Sequence, residues 1–220
     1  MIVTLDGPAG SGKSTTAREV ARRLGYRHLD SGSFYRALTY ALLQRAIGPS
    51  EWEGLTSAQI EAIPLAVEPV DGGFQISLDG RPLREELRTK EVTGLVPRLA
   101  GLEPVRRWLK DFQHRAPEHG PHVADGRDMG TVVFPQAEVK FFLTADLTER
   151  ARRRLRDQGV HAPTEEQVTR EAERIAERDR TDSERELSPL RRPEGAIDVD
   201  TTALGFEEQV EEIVRRVAKI

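Results

Sequence analysis

Eight residues near the start of the chain could hold a row of phosphate groups. Residues 7–14 read Gly-Pro-Ala-Gly-Ser-Gly-Lys-Ser, which is the complete pattern G-x-x-x-x-G-K-[ST]. Glycines let a backbone curl so that successive N–H groups point at phosphate oxygens, and a helix N-terminus that follows adds partial positive charge. In such a loop Lys13 reaches the β- and γ-phosphates of a nucleoside triphosphate, and the Ser14 hydroxyl ligates Mg²⁺. A glycine-rich turn could match by chance, but the β-rich run before the pattern and the helical pattern after it favour a phosphate-binding loop (P-loop). The expected nucleotide-binding residues are Gly7, Pro8, Ala9, Gly10, Ser11, Gly12, Lys13, Ser14 and Thr15.

A second polar segment follows the next strand candidate. Residues 30–36 read Asp-Ser-Gly-Ser-Phe-Tyr-Arg, and the carboxyl edge of a parallel sheet is where ligands of such folds bind. Ser31 could donate to a phosphate. Arg36, about one helical turn further on, could bind the same phosphate through two N–H groups of its guanidinium. Taken alone, the segment rather favours an ordinary helix that begins at Asp30 or Ser31.

A third polar segment has the same placement after a strand. Residues 125–130 read Asp-Gly-Arg-Asp-Met-Gly. Arg127 would hold a phosphate, Asp128 would accept from an exocyclic amine, and Asp125 could hold water on Mg²⁺. A β-turn with solvated charges explains this segment equally well.

Arginines crowd the stretch from residue 150 to 178. A solvated helix with many ion pairs is the usual explanation for such a run. The alternative is a mobile, arginine-bearing lid that folds over a triphosphate and excludes water, with residues 157–164 at its tip. The arginines are Arg150, Arg152, Arg153, Arg154, Arg156, Arg170, Arg174 and Arg178.

Bulk composition excludes several classes of protein. The 220 residues suit one domain, the absence of cysteine rules out disulfides and thiolate chemistry, and a net charge of −4 disfavours non-specific binding to nucleic acid. No apolar run approaches the roughly 20 residues that span a bilayer, and the N-terminus lacks the basic stretch of a signal peptide. We therefore expect a cytoplasmic protein with neither nucleic-acid nor membrane partners.

Hydrophobic periodicity predicts alternating strands and helices, and hence a parallel α/β sheet covered on both faces. Residues 66–83 interrupt this alternation with turn signals at Asp71-Gly72-Gly73 and Asp79-Gly80, which predict an inserted antiparallel hairpin or meander. The predicted strands are 2–5, 26–29, 123–124, 139–143 and 196–199, and the predicted helices are 13–24, 33–47, 103–115 and 206–218.

These segments together resemble bacterial cytidylate kinases over essentially the whole chain. The resemblance rests on residues 7–15, 30–36, 87–92, 105–106, 125–135, 140–143, 149–153 and 177–190. It implies a single P-loop kinase domain over residues 1–220, with a doubly wound five-stranded parallel sheet. It also implies an acceptor-binding insertion at roughly 33–105 that carries a small antiparallel sheet, and a helical lid at roughly 150–168.

The resemblance further implies a reaction in which ATP, with Mg²⁺, phosphorylates CMP or dCMP, and it suggests a monomer. Arg106 and Asp128 would face the cytosine, whereas Arg178 and Asp182 would meet the sugar. Residues expected to hold the acceptor phosphate are Ser31, Arg36, Arg127 and Arg185, with Asp125 nearby. Residues expected to act on the transferring phosphate are Lys13, Arg127, Arg150 and Arg153.

One position departs from the family pattern and leaves the acceptor open. Pro97 stands where the family often has a serine that contacts the base, and proline offers neither a hydroxyl nor an N–H. A kinase for UMP remains an alternative, as does one for an alcohol, in which Asp30 or Asp125 would serve as the base. A nucleotide-dependent switch would carry an Asn-Lys-x-Asp guanine signature, which the sequence lacks.

Overall fold

The computed structural model describes residues 1–116 and 118–220 and contains two sheets. The strands are β1 Ile2–Asp6, β2 Arg27–Asp30, β3 Leu65–Val70, β4 Gly73–Leu78, β5 Arg81–Pro82, β6 His122–Gly126, β7 Val139–Thr144 and β8 Ile197–Asp200. One sheet has five strands in the order β2-β6-β1-β7-β8, in which all neighbours are parallel. The other is an antiparallel meander, β3-β4-β5.

Helices cover both faces of the parallel sheet. They are α1 Lys13–Leu24, α2 Ser31–Gln44, α3 Ser57–Glu61, α4 Lys90–Leu99, α5 Glu103–Arg115, α6 Leu147–Asp157, α7 Glu165–Glu184 and α8 Phe206–Val217. Because side chains alternate along a strand, Val3 and Leu5 pack on one face with α1 and α8, whereas Leu29 and Ala124 pack on the other face in the core that contains α2 and α5. The predicted doubly wound architecture is confirmed.

The meander packs beside the edge strand of the parallel sheet. Ile76 and Leu78 of β4 are buried in the core that contains α2. The turn between β3 and β4 reaches β2, because His28 N donates to Gly72 O at 3.0 Å. The small antiparallel sheet predicted at 66–83 is thus confirmed, at residues 65–82.

Two charged helices, α6 and α7, pack against each other and against the loop after β1. Ala151 and Leu155 of α6 form a small apolar cluster with Val168 and Ile175 of α7, and Ala9 joins this cluster. The residues predicted as a lid tip connect these two helices. None of the helices in the described part of the chain combines the length and hydropathy needed to cross a membrane.

Several element boundaries differ from the sequence expectation for local reasons. The second helix begins at Ser31 rather than Ser33, because the Asp30 carboxylate accepts the Ser33 N–H at 3.0 Å and caps it. Periodicity did not predict α4, which Thr89 caps and which contains Pro97 in its interior.

Candidate active site

A cavity of about 230 Å³ lies at the carboxyl edge of the parallel sheet, between the P-loop, α2, α4 and α7. Its wall carries seven cationic side chains and four carboxylates, so that the local charge favours a polyanion, although the whole chain is acidic. The lining residues are Ala9, Gly10, Lys13, Ser14, Asp30, Ser31, Gly32, Tyr35, Arg36, Thr93, Val96, Pro97, Ala100, Arg106, Asp125, Gly126, Arg127, Asp128, Arg154, Arg178, Asp182 and Arg185. Thirteen of the twenty sequence-predicted site residues therefore come together here. The seven that do not line the cavity are Gly7, Pro8, Ser11, Gly12, Thr15, Arg150 and Arg153.

The P-loop turns sharply between β1 and α1. A Cβ on Gly7, whose φ is +154°, would lie 2.1 Å from Leu143 O, and Gly12 caps α1 with φ +84°; both positions require glycine. Lys13 is buried, and its Nζ donates to Pro8 O at 2.8 Å. Burial, together with repulsion from Arg127, lowers the pKa of Lys13 well below its ordinary value. A bound anion would stabilise the charged form of Lys13.

Ser14 and Asp125 meet at the entrance to α1. The Ser14 hydroxyl donates to Asp125 Oδ2, and His28 Nε2 lies 2.7 Å from Asp125 Oδ1. A hydroxyl beside a carboxylate is a hard-oxygen donor set that suits Mg²⁺. No cluster of three or more acidic, histidine or cysteine side chains able to cage a metal occurs among the described residues. The sequence analysis did not single out His28.

The start of α2 holds a preorganised cation. Arg36 Nη2 donates to Asp30 Oδ2 at 2.8 Å and to Ser33 Oγ at 2.7 Å. Burial alone would raise the pKa of Asp30, but Arg36 and Ser33 outweigh it and lower the pKa to about 2. Ser31 Oγ accepts from Gln113 Nε2 at 2.9 Å, which leaves the Ser31 O–H free to donate into the cavity.

A second buried ion pair closes the far end of the cavity. Arg106 Nη1 donates to Asp128 Oδ2 at 2.9 Å, and Arg106 Nε donates to Ala100 O at 2.6 Å. The guanidinium also lies 5.6 Å from the centroid of the Tyr35 ring. The side chains of Arg106 and Asp128 are only 10% and 5% exposed, so each fixes the other.

Three arginines surround Asp182, two from α7 and its C-terminal end and one from the segment after β6. Arg127 Nε donates to Asp182 Oδ2 at 3.0 Å, and Arg185 Nη1 donates to Oδ1 at 3.4 Å. Arg178 lies beside them with its buried Nε lacking a hydrogen-bond partner among the described residues. Burial and the nearby Arg127 lower the pKa of Arg178 to about 10. This group of cations is set up to receive negative charge.

Arg150 and Arg153, predicted to act on the transferring phosphate, do not themselves line the cavity. Arg150 Nη1 donates to Ala9 O at 3.0 Å and pairs with Asp179 of α7, whose Oδ1 accepts the Ala9 N–H at 2.9 Å. Arg153 Nη1 donates to Thr201 Oγ1 at 2.9 Å. Arg150 therefore fastens α6 to the P-loop and to α7, and Arg153 fastens α6 to the loop after β8.

Sequence reasoning missed several residues that build this site. Arg154 was named only among the arginines of a solvated helix or a lid, yet it lines the cavity and pairs with Glu171 at 2.8 Å. Tyr35 lies inside a segment that was singled out, but its aromatic character was given no role. His28 could have been found from strand periodicity, since it precedes Asp30 by two residues and therefore shares its face of β2.

A glycine-rich loop that leads from a parallel strand into a helix, facing a cation-lined cavity with a second polar end, defines a P-loop phosphotransferase. The family model described as cytidylate kinase matches residues 3–219, and the chain belongs to that family.

Two curated cytidylate kinases are similar to the chain over nearly the full length of both sequences. The chain is 42% identical to the cytidylate kinase of Carboxydothermus hydrogenoformans, with coverage of 100% of this chain and 98% of the relative. It is 44% identical to the cytidylate kinase of Salinibacter ruber, with coverage of 99% and 96%. A solved structure from Thermus thermophilus, TT1252, is similar in fold, with a TM-score of 0.51, 21% identity and coverage of 100% and 96%.

Proposed function

We propose that the chain transfers the γ-phosphate of ATP to CMP or dCMP, giving ADP and CDP or dCDP. The observation that carries this proposal is that one continuous cavity joins the P-loop to the Arg106–Asp128 pair. The first end suits a triphosphate, and the second presents a donor and an acceptor to a polar ring. Membership of the cytidylate kinase family supports the same acceptor.

The chemistry needs no protein base. A phosphate monoester has a second pKa of about 6, so the acceptor oxygen is already anionic near neutral pH. This oxygen forms the new bond to the γ-phosphorus as the bond from that phosphorus to the bridging oxygen of ATP breaks, and ADP leaves with the electron pair. Catalysis then consists of aligning two polyanions and neutralising the charge that shifts between them.

Cations from several elements share that work. Lys13 would contact the β- and γ-phosphates, Arg127 the transferring group, and Ser31 with Arg36 the acceptor phosphate. Arg178 and Asp182 would meet the sugar, and Arg185 the acceptor phosphate. Arg150 and Arg153 would act on the transferring phosphate only after the lid helices move, because their side chains do not line the cavity and donate instead to Ala9 O and Thr201 Oγ1.

Ser14 and Asp125 would hold Mg²⁺, the first directly and the second through water. Their oxygens fit a small hard cation that keeps most of its ligands as water and phosphate. When bound, Mg²⁺ supplies charge neutralisation for the triphosphate.

Selection of the base would rest on Arg106 and Asp128. Asp128 can accept from the exocyclic amine of cytosine, and Arg106 can donate to the ring. Pro97 lines the same cavity without a hydroxyl or an N–H to offer. A looser pyrimidine kinase that also accepts UMP is therefore the second candidate.

We further propose a monomeric cytoplasmic enzyme that acts on small molecules. Its acidic net charge supports the lack of a nucleic-acid partner.

The test is ADP release from Mg·ATP with CMP, dCMP, UMP, AMP or no acceptor in parallel. We expect strong turnover with CMP and dCMP and far slower hydrolysis without an acceptor, because closure must exclude water. Comparable turnover with UMP would replace cytidylate specificity by a pyrimidine one. ADP release that is the same with and without nucleoside monophosphate would overturn the proposal.

A further inference from the structure

A buried histidine holds the carboxylate next to the P-loop serine. His28 lies on β2, with its side chain 8% exposed, and its Nε2 is 2.7 Å from Asp125 Oδ1, on a side chain that is 3% exposed. A carboxylate accepts hydrogen bonds, so Nε2 is the donor and carries the proton. The imidazole thereby fixes one oxygen of Asp125.

The other oxygen of Asp125 takes the Ser14 proton. With its hydrogen held by Asp125, the Ser14 oxygen keeps its lone pairs free, and a hydroxyl can ligate a cation only through a lone pair. If the Asp125 carboxylate rotated, the Ser14 hydrogen could turn toward the phosphate side and compete with the cation. The orientation of Asp125 therefore controls whether Ser14 is ready to ligate.

The position of the imidazole is set in turn by the acceptor-side insertion. His28 N donates to Gly72 O at 3.0 Å, in the turn between β3 and β4, and His28 O lies so close to Gly73 that a Cβ there would be 3.2 Å away. His28 is thus held by its backbone at the sheet edge and by its ring at Asp125.

We propose that His28 is a positioning residue that orients Asp125 and thereby sets the affinity of the Ser14 site for a divalent cation. The inference rests on the proposed function only in assigning a cation to Ser14. Its consequence is a metal-affinity defect in His28 variants that is separate from any defect in nucleotide binding.

The test uses Mn²⁺ as the probe, with the full-length protein and a non-hydrolysable ATP analogue. Electron paramagnetic resonance gives the Mn²⁺ dissociation constant for His28→Leu, His28→Asn and His28→Gln. We expect about ten-fold weaker Mn²⁺ binding for the Leu and Asn variants, equivalent to about 1.4 kcal/mol, because the donor is lost or too short to reach. Glutamine places an N–H near the position of Nε2, so we expect His28→Gln to bind within about three-fold of wild type, equivalent to about 0.7 kcal/mol.

Two controls separate this effect from general damage. His122 is a buried histidine on the neighbouring strand β6, and within the described part of the chain its ring has a hydrogen-bond contact only with Gly120 O, 3.4 Å from Nδ1. The His122 ring is not bonded to Asp125 or Ser14, so we expect His122→Leu to leave Mn²⁺ binding unchanged. Affinity for the ATP analogue without metal is expected to stay at the wild-type value in all His28 variants.

Wild-type Mn²⁺ affinity in folded His28→Asn would overturn the proposal, even if His28→Leu failed to fold. Equal losses in His28→Asn and His28→Gln would also overturn it, since a general packing defect would then explain both. Because the measurement needs no acceptor, a protein that failed to phosphorylate CMP yet showed the expected Mn²⁺ pattern would refute the proposed function and leave the role of His28 standing.

Discussion

Replacing Asp128 with asparagine changes the charge and the hydrogen-bond donors at the end of the cavity formed by Arg106 and Asp128, while the size of the side chain is kept. The Asp128 side chain is 5% exposed and accepts from Arg106 Nη1 at 2.9 Å. Asparagine retains one acceptor oxygen but replaces the other with an NH₂ group that donates. The substitution therefore tests base selection more sharply than truncation does.

The expected loss of kcat/KM for CMP follows from the charge-assisted hydrogen bond that the exocyclic amine of cytosine would lose. Such a bond to a buried charged group contributes about 2 kcal/mol, which corresponds to about a 30-fold loss in kcat/KM for CMP. The new NH₂ group can donate to the 4-carbonyl of uracil. We therefore expect the ratio of kcat/KM for CMP to that for UMP to fall by at least about 30-fold, with the KM for ATP little changed.

The assay is initial-rate ADP release at saturating Mg·ATP, with CMP and UMP varied separately. Asp111→Asn is the matched control, because Asp111 is an exposed aspartate on α5, the helix that carries Arg106. The control is expected to keep the wild-type ratio. Equal losses for CMP and UMP in Asp128→Asn would refute the reasoning, since Asp128 would then only hold Arg106 in place.

Three further changes test other parts of the account. Lys13→Ala should lower turnover by about 1,000-fold or more, because it removes the cation proposed to contact the β- and γ-phosphates. The fold should be kept, because burial already destabilises the ammonium in the wild type. Near-normal turnover in a folded variant would contradict this. Burial raises the pKa of Asp6 to about 7, so its contribution to stability is present below pH 3.8 and is lost as the pH rises through 7. Relative to Asp6→Asn, wild type should therefore lose about 3 kcal/mol in urea unfolding between pH 5 and 8, whereas a constant difference would exclude the raised pKa. Asp179→Ala removes the acceptor of the Ala9 N–H and the partner of Arg150, and should raise the KM for ATP by about ten-fold; an unchanged KM would show that this contact does not shape the P-loop.

Local sequence patterns were enough to predict two of the helices that position the site. The helix after the P-loop runs from Lys13 to Leu24 as its apolar spacing indicates, and Gly25 ends it with φ +69°. The helix from Glu103 to Arg115 also matches the predicted bounds. Both helices have a strong 3.6-residue pattern and clear end signals, so neighbouring residues determine them.

Contacts between segments that are far apart in the sequence could not be predicted from local patterns. His28 and Asp125 are 97 residues apart, and Ala9 and Asp179 are 170 residues apart. Helix α4 escaped prediction because Gly94 and Pro97 weaken the local signal, and packing of Val92, Val96 and Leu99 supplies the missing stability. These features depend on how the sheet, the meander and helices α6 and α7 meet, which no local pattern specifies.

Transfer of a labelled phosphate tests the central claim most directly. The protein is mixed with Mg²⁺, CMP and ATP that carries a radioactive γ-phosphate, and the products are separated. The account predicts that the label appears in the β-phosphate of CDP at the rate at which ADP forms. Label that appears in inorganic phosphate at that rate, with none in CDP, would contradict it.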